Sequence, residues 1–304
     1  QINGVSDGEY EIAAVAGGGP NSELFASSTR RIAVKGSDIT GLELVLAPMA
    51  SIAGRVNFEP DEKLNCGRRR DSAVRETMIL LRRDPLPDKS GAQKPNDKSD
   101  AQIDSLMFPT TVDSVPNDKG EIRFRNLVPA TYRFEIRLPG AGWYVRGLSV
   151  GPGKRVPANR GPSTNLATNG IKIKAGDKIA DVEITITEGG AGLRGRVATG
   201  EGQSLPPALR IYLVPPEREN VENVLRFFEG STAADGTFAI GNIAPGRYWI
   251  IAQPAEQIDA STMKSIKTDS ALRTKALRDA EVLKKEISFK PCERTVDYEL
   301  PYSP

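Results

Sequence analysis

One eight-residue pattern recurs three times along this chain, and it constrains the fold more than any other feature of the sequence. It reads Val5-Ser6-Asp7-Gly8-Glu9-Tyr10-Glu11-Ile12, then Leu127-Val128-Pro129-Ala130-Thr131-Tyr132-Arg133-Phe134, then Ile243-Ala244-Pro245-Gly246-Arg247-Tyr248-Trp249-Ile250. Each copy sets an apolar residue before a two- or three-residue turn, and a strand then opens with Tyr two residues after Gly8, Ala130 or Gly246. The two later copies follow a matching hairpin half, Asp118-Lys119-Gly120-Glu121-Ile122-Arg123-Phe124 and Ala234-Asp235-Gly236-Thr237-Phe238-Ala239-Ile240. Gly120 and Gly236 supply the positive φ that a hairpin turn requires, and period-two alternation then puts Ile122 with Phe124, and Phe238 with Ile240, on one face.

A second element follows each Tyr strand. Arg31–Gly36 leads to Leu42–Leu46 and then to Ile52-Ala53-Gly54-Arg55-Val56. Ile171–Gly176 leads to Val182–Ile186 and then to Leu193-Arg194-Gly195-Arg196-Val197. The shared Gly-Arg-Val marks the first strand of a new unit, with Gly54 and Gly195 placed for a bulge or a close strand approach. The units are therefore expected at 1–47, the C-terminal half of a β-sandwich only, at 48–189, a complete sandwich with long loops, and at 190–304, a complete sandwich carrying an inserted helix. At 304 residues the chain has room for two domains, or three small ones. The 29 glycines and 22 prolines favour turns over long helices. Ser270–Leu283 is the exception: it lacks Gly and Pro, and Leu272, Ala276, Leu277, Ala280 and Leu283 recur at helical spacing. This predicts one helix near 269–284, packed across a sheet or along its edge. Residues 84–104 and 151–170 read as long solvated loops.

"ADGTFAIGNIAPGRYWIIAQ" and "DKGEIRFRNLVPATYRFEIRL" resemble the carboxypeptidase regulatory-like domain, one of the transthyretin-like and Ig-like β-sandwiches. The resemblance covers residues 50–302, and 5–47 look like the second half of one more copy. It implies an all-β fold of tandem antiparallel sandwiches, usually non-catalytic, of the kind found in secreted or surface proteins of bacteria.

The chain contains no histidine. Ser-His-Asp and Cys-His nucleophiles, HExxH zinc sites and His-ligated haem are excluded on that count. Asp235-Gly236 and Asp118-Lys119-Gly120 lack the DxDxDG spacing of a calcium loop and read as turns. Asp97, Asp100 and Asp104 stand among lysines in a solvated loop, unsuited to the rigid placement an acid/base pair needs. No catalytic residue, cofactor or metal site is expected. The net charge is only +2, and Arg68-Arg69-Arg70 and Arg82-Arg83 are not interleaved with aromatics, so nucleic acid is not an expected partner. No apolar run is long enough to span a membrane, and no signal-peptide pattern is visible.

Three groups of residues carry the structural expectations. Tyr10, Tyr132 and Tyr248 can each bury a ring while the hydroxyl bonds a nearby backbone group, as in the tyrosine corner of sandwich folds. Cys66 and Cys292 are either two isolated thiols or one disulfide spanning much of the chain, which an extracellular location would favour. Trp143, and Trp249 turned outward by alternation between Tyr248 and Ile250, are candidates for a protein interface or a glycan platform. Two functions fit. One is a structural, extracellular or cell-surface assembly component, joined into filaments by strand complementation of the incomplete first unit. The other is an accessory module that binds carbohydrate or peptide.

Overall fold

A computed structural model describes residues 2–17, 23–64, 66, 73–84, 109–151, 164–200, 205–255 and 265–302. Among the described residues the fold is all-β with one substantial helix. The first unit holds β1 (Gly8–Ile12), β2 (Val15–Ala16), β3 (Phe25–Ala26), β4 (Arg30–Val34) and β5 (Ala47–Pro48). The second holds β6 (Ala50–Glu59), β7 (Met78–Arg83), β8 (Thr111–Ser114), β9 (Glu121–Leu127), β10 (Ala130–Arg137), β11 (Trp143–Val150), β12 (Thr164–Asn165), β13 (Ile171–Ile173) and β14 (Lys178–Glu188), with the one-turn helices α1 (Ala73–Glu76) and α2 (Leu166–Asn169). The third holds β15 (Ala191–Ala198), β16 (Leu209–Val214), β17 (Phe228–Ser231), β18 (Thr237–Ile243), β19 (Gly246–Pro254), β20 (Glu286–Phe289) and β21 (Arg294–Pro301), with α3 (Ser270–Leu283).

The third unit shows the plan in its simplest form. Its seven strands, lettered a to g along the chain, make two sheets ordered d-a-g (β18-β15-β21) and c-b-e-f (β17-β16-β19-β20). Strands a and g run parallel; the remaining pairs are antiparallel. The second unit repeats this order, with β9-β6-β14 as d-a-g and β8-β7-β10-β13 as c-b-e-f. It adds β11 and β12 between e and f, and β11 extends the d-a-g sheet by pairing with the outer side of β14. Each sandwich closes over its own apolar core. Ile52, Phe124, Leu127, Tyr132 and Ile184 centre the second; Leu193, Ile211, Phe238, Tyr248 and Ile250 centre the third.

The connection between e and f is where the units diverge. It carries β2 and β3 in the first, β11, β12 and α2 in the second, and α3 in the third. Asp269 caps α3 by accepting from the backbone N–H of Ala271 and Leu272, and the helix ends at Lys284 with φ 47°. Ala276 and Ala280, both fully buried, let the helix lie close on the outer face of the sheet, over Tyr212, Val214 and Ile251. Trp249 does turn away from Tyr248, but α3 covers that face and leaves the indole half-buried.

The first unit is the exception to closure. Among the described residues strand β1 pairs only with β4, in the e–f arrangement, and residues 42–46 lie outside any strand. In the other two units the matching segment is strand g, and its ladder partner is strand a; among the described residues the first unit has no such partner. Most large apolar side chains left exposed lie in this unit, including Ile2, Val5, Phe25, Ile39, Val45 and Leu46. Of the two expected loops, 85–108 and 152–163 fall outside the described residues, whereas 164–169 form β12 and α2 with Leu166 buried.

Candidate functional site

The features that recur at the unit boundaries form the best-defined site in the molecule. Gly54 and Gly195, the glycines of the two Gly-Arg-Val strands, each face a bulge in strand g. Asp181 (φ 64°) and Asp297 (φ 54°) force the bulge and push the next carbonyl towards strand a. A Cβ on Gly54 would stand 2.2 Å from the Val182 oxygen, and one on Gly195 would stand 2.2 Å from the Tyr298 oxygen. Two residues on, the N–H of Val56 donates to Gly120 O at 2.7 Å and that of Val197 to Gly236 O at 2.9 Å. Gly120 and Gly236 hold φ of 75° and 79°, so the four glycines work as two matched pairs.

The three tyrosines make the same bond. Tyr10 Oη donates to Ser6 O at 2.8 Å, Tyr132 Oη to Val128 O at 3.2 Å and Tyr248 Oη to Ala244 O at 2.7 Å. Tyr132 and Tyr248 are buried; Tyr10, in the open unit, is 36% exposed. Burial raises the pKa of the Tyr248 phenol well above its usual value, despite the Arg226 guanidinium over its ring.

Each complete sandwich receives the preceding unit on its f–g turn. In the second, Lys174 N–H donates to the Asp177 carboxylate at 2.8 Å, and Asp177 O accepts from Ser51 N–H at 2.8 Å as the chain enters strand a. In the third, Lys290 N–H donates to the Glu293 carboxylate at 2.6 Å, and Glu293 O accepts from Gly192 N–H at 2.9 Å. The linker residues follow suit: Pro48 packs against Gly176, and Gly189 against Pro291. Both joints are thus built to one design.

The second joint carries more. Gly36 and Gly176 occupy the left-handed position of the f–g turn at φ 64° and 72°, whereas the third unit puts Cys292 there at φ 62°. That geometry disfavours a side chain with a Cβ. Cys292 nevertheless holds it, bonded to Cys66 between β6 and β7 of the preceding sandwich, with the two Cα atoms 4.8 Å apart. Around the disulfide, the N–H groups of Gly189 and Gly190 both donate to Gly142 O at 2.8 Å, and Cys292 N–H donates to Gly189 O at 3.0 Å. The Asn242 amide reaches from strand d of the third sandwich to Gly140 O and Trp143 O, each at 2.7 Å. Trp143 meets Phe58 edge to face at 5.6 Å and packs on the second core, while its neighbour Tyr144 packs on the third. The structure therefore brings Cys66, Cys292 and Trp143 together at one joint and leaves Trp249 elsewhere, under α3. Both indoles are half-buried.

Asn242 was not among the sequence candidates; its only signal is its place in the repeat, level with Asn126, at φ 56° against 57°. The turn carboxylates are engaged within the protein. Arg75 pairs with Asp118 at 2.9 Å, and its hydrogen bond and charge hold that carboxyl below the usual range. The Thr237 hydroxyl and N–H do the same for Asp235. Among the described residues no cluster of Asp, Glu or Cys has metal-binding geometry, and no helix is long and apolar enough to cross a membrane. Arg68–Arg70 and Asp97, Asp100 and Asp104 lie outside the described residues.

No protein-family model and no curated protein matches the chain. Among solved structures, the Bacillus anthracis TIE protein is similar at 10% identity and a TM-score of 0.24, over 98% of this chain and 43% of its own. This chain thus spans less than half of that one. GBS52, the minor pilin of Streptococcus agalactiae, is similar at 9% identity and a TM-score of 0.24, over 84% of this chain and 97% of its own. The major pilin SpaD of Corynebacterium diphtheriae gives 12% identity and a TM-score of 0.24, over 67% and 62%.

Proposed function

We propose that this chain is a non-catalytic structural segment of an extracellular or cell-surface array, in which the half-sandwich 1–47 and the complete β-sandwiches 48–189 and 190–304 are held in a fixed line. The repeated glycine-turn hairpin (Gly120-Glu121-Ile122 and Gly236-Thr237-Phe238) and Tyr-hairpin pattern supports reading 48–189 and 190–304 as carboxypeptidase regulatory-like sandwiches of a bacterial surface protein. The observation that carries the proposal is the repeated joint: Pro48 packs against Gly176 and Gly189 against Pro291, on f–g turns that Ser51 to Asp177 and Gly192 to Glu293 each tie to the strand a that follows the linker. A joint that is rebuilt at each boundary transmits shape, which is what a stalk or filament element needs. The Cys66–Cys292 bond ties the second joint covalently and fits an oxidising compartment. The open first unit is where the array is joined, by β-strand complementation.

Small-angle scattering of the chain with and without reductant tests this. The oxidised protein is expected to scatter as a single stiff, elongated particle, and reduction is expected to broaden its distribution of maximum dimensions. If the oxidised chain already scatters as freely hinged beads, the structural-array reading fails.

A further inference from the structure

A cleft of about 2050 Å³ opens between the second and third sandwiches and runs back towards the first unit. That exceeds the ~300–1,000 Å³ of a small-molecule site. Its wall in the second sandwich is the edge of a strand. Every residue of 133–138 lines it, although alternation along β10 sends Arg133, Glu135 and Arg137 to one face and Phe134, Ile136 and Leu138 to the other. A cavity over one face of a sheet would meet only alternate residues; one that meets them all lies along the edge. β13 covers that edge only at Ala130, Thr131 and Tyr132. Asp84 N–H donates to Thr131 O at 2.8 Å, which sets the phase of the β7 ladder. Arg133, Glu135 and Arg137 therefore exchange hydrogen bonds with β7, while Phe134 and Ile136 turn their N–H and C=O away from it, into the cleft. Among the described residues nothing takes these groups up. In the third sandwich Ile250, level with Phe134, is taken up: its N–H donates to Lys285 O at 2.9 Å.

The cleft also holds cations without counter-ions. Lys267 lines it from the third sandwich, its ammonium 5.1 Å from the centre of the Phe228 ring and unpaired with any carboxylate among the described residues. The neighbouring Glu229 is already held by the Arg210 guanidinium at 2.6 Å, the Ser265 hydroxyl at 2.6 Å and Ile266 N–H at 3.0 Å. Burial pulls the Lys267 pKa down, as expected of an ammonium short of acceptors. On the β10 wall Arg133 is paired with Asp84 at 2.9 Å, whereas Arg137 has no ion pair among the described residues. We propose that the cleft takes an extended, acidic peptide segment of a partner protein, which adds as a strand to β10 at Phe134 and Ile136. Its apolar side chains lie on the face of Phe134 and Ile136, and its carboxylates answer Arg137 and Lys267. Charge complementarity selects an acidic segment, and free N–H and C=O pairs on alternate residues are matched by a backbone rather than by a sugar or an acyl chain. This binding site goes beyond the array reading and does not depend on it.

The test uses the full oxidised chain and a short synthetic peptide of alternating Glu and Val, with a Lys-Val peptide as its control. In the chain alone, hydrogen exchange along β10 is expected to alternate, fast at Phe134 and Ile136 and slow at Arg133 and Glu135. Saturating Glu-Val peptide is expected to slow Phe134 and Ile136 by about 10-fold or more. The Lys-Val peptide is expected to bind at least about 10-fold more weakly, and Lys267→Gln to remove most of that preference. Methylating the peptide nitrogens of Val alone, or of Glu alone, blocks one edge of the added strand at a time. One methylated peptide should therefore bind like the parent and the other should not bind. Ile136→Pro removes an outward N–H and leaves the β7 ladder its donors, and is expected to cost about 10-fold in affinity. The proposal is overturned if Phe134 and Ile136 are already protected in the chain alone, or if the Glu-Val peptide leaves them unprotected. It is equally overturned if both methylated peptides bind alike, if Glu-Val and Lys-Val peptides bind alike, or if Ile136→Pro binds as the parent does. Protection of the same amides by a hyaluronate oligosaccharide or by oleate at the peptide's affinity would assign the cleft to a glycan or a lipid. Protection that rises with protein concentration alone would assign it to a second copy of this chain, and each of these results also overturns the proposal.

Discussion

Tyr248 shows how one residue fastens a strand to the turn before it. Its ring is buried against Phe228 and Phe289, and its hydroxyl meets the Ala244 carbonyl four residues back, in a pocket closed to water. Removing the hydroxyl leaves that carbonyl buried without a partner, which costs about 2 kcal/mol. Tyr248→Phe is therefore expected to lower the opening free energy of the β19 amides by that amount in native-state hydrogen exchange. Tyr10→Phe makes the same change on an exposed ring, where water replaces the lost bond, and should cost less than about 0.5 kcal/mol. Equal effects at the two sites would mean that burial does not govern the corner. Cys292 makes a contrasting point about residue choice. It holds a backbone angle that two sister turns give to glycine, and its bond to Cys66 accounts for a side chain there.

At the scale of elements, α3 is the clearest case of sequence and surroundings acting together. Its apolar stripe was readable from spacing, and so was the opposite facing of Tyr248 and Trp249. That the stripe would cover Trp249 was not, because periodicity states which residues share a face and not what lies over that face. Ala280→Asp tests the packing by placing a carboxylate where Ala280 is fully buried beneath the helix. With no partner supplied, the cost is about 3 kcal/mol, enough to lift α3 from the sheet. In a Trp143→Phe background, Trp249 emission should shift to the red while the β19 amides stay protected; unshifted emission would mean that α3 does not shield the indole. The Tyr hairpins and Gly-Arg-Val strands were legible because turn chemistry and alternation are local signals. β11 was not: Trp143 stands out in the sequence only as an interface or glycan candidate, but it opens a strand that pairs with β14 and, with Tyr144, reaches into both cores. Residues 42–46 mark the same limit from the other side. Their alternation is that of a strand, but no ladder forms without strand a beside them.

At the scale of the whole molecule, the second joint combines a covalent tie with a small set of hydrogen bonds, and their division of labour can be measured. A disulfide keeps two surfaces at high effective concentration, so weak contacts between them remain formed even when one is removed. The Asn242 amide supplies two such contacts, to Gly140 O and Trp143 O. Asn242→Gly deletes them while keeping a residue suited to the left-handed backbone at φ 56°, so strain does not confuse the result. With the disulfide intact, the variant should scatter like the parent chain. With the disulfide reduced, the parent should widen its range of shapes and the variant should widen it further, because each lost bond is worth about 1 kcal/mol once the tether is gone. This ordering is a double-mutant cycle with reduction as one arm, and its coupling measures how far the tether masks the amide. Were Asn242→Gly to loosen the oxidised chain as much as the reduced one, the amide rather than the disulfide would set the line of the array.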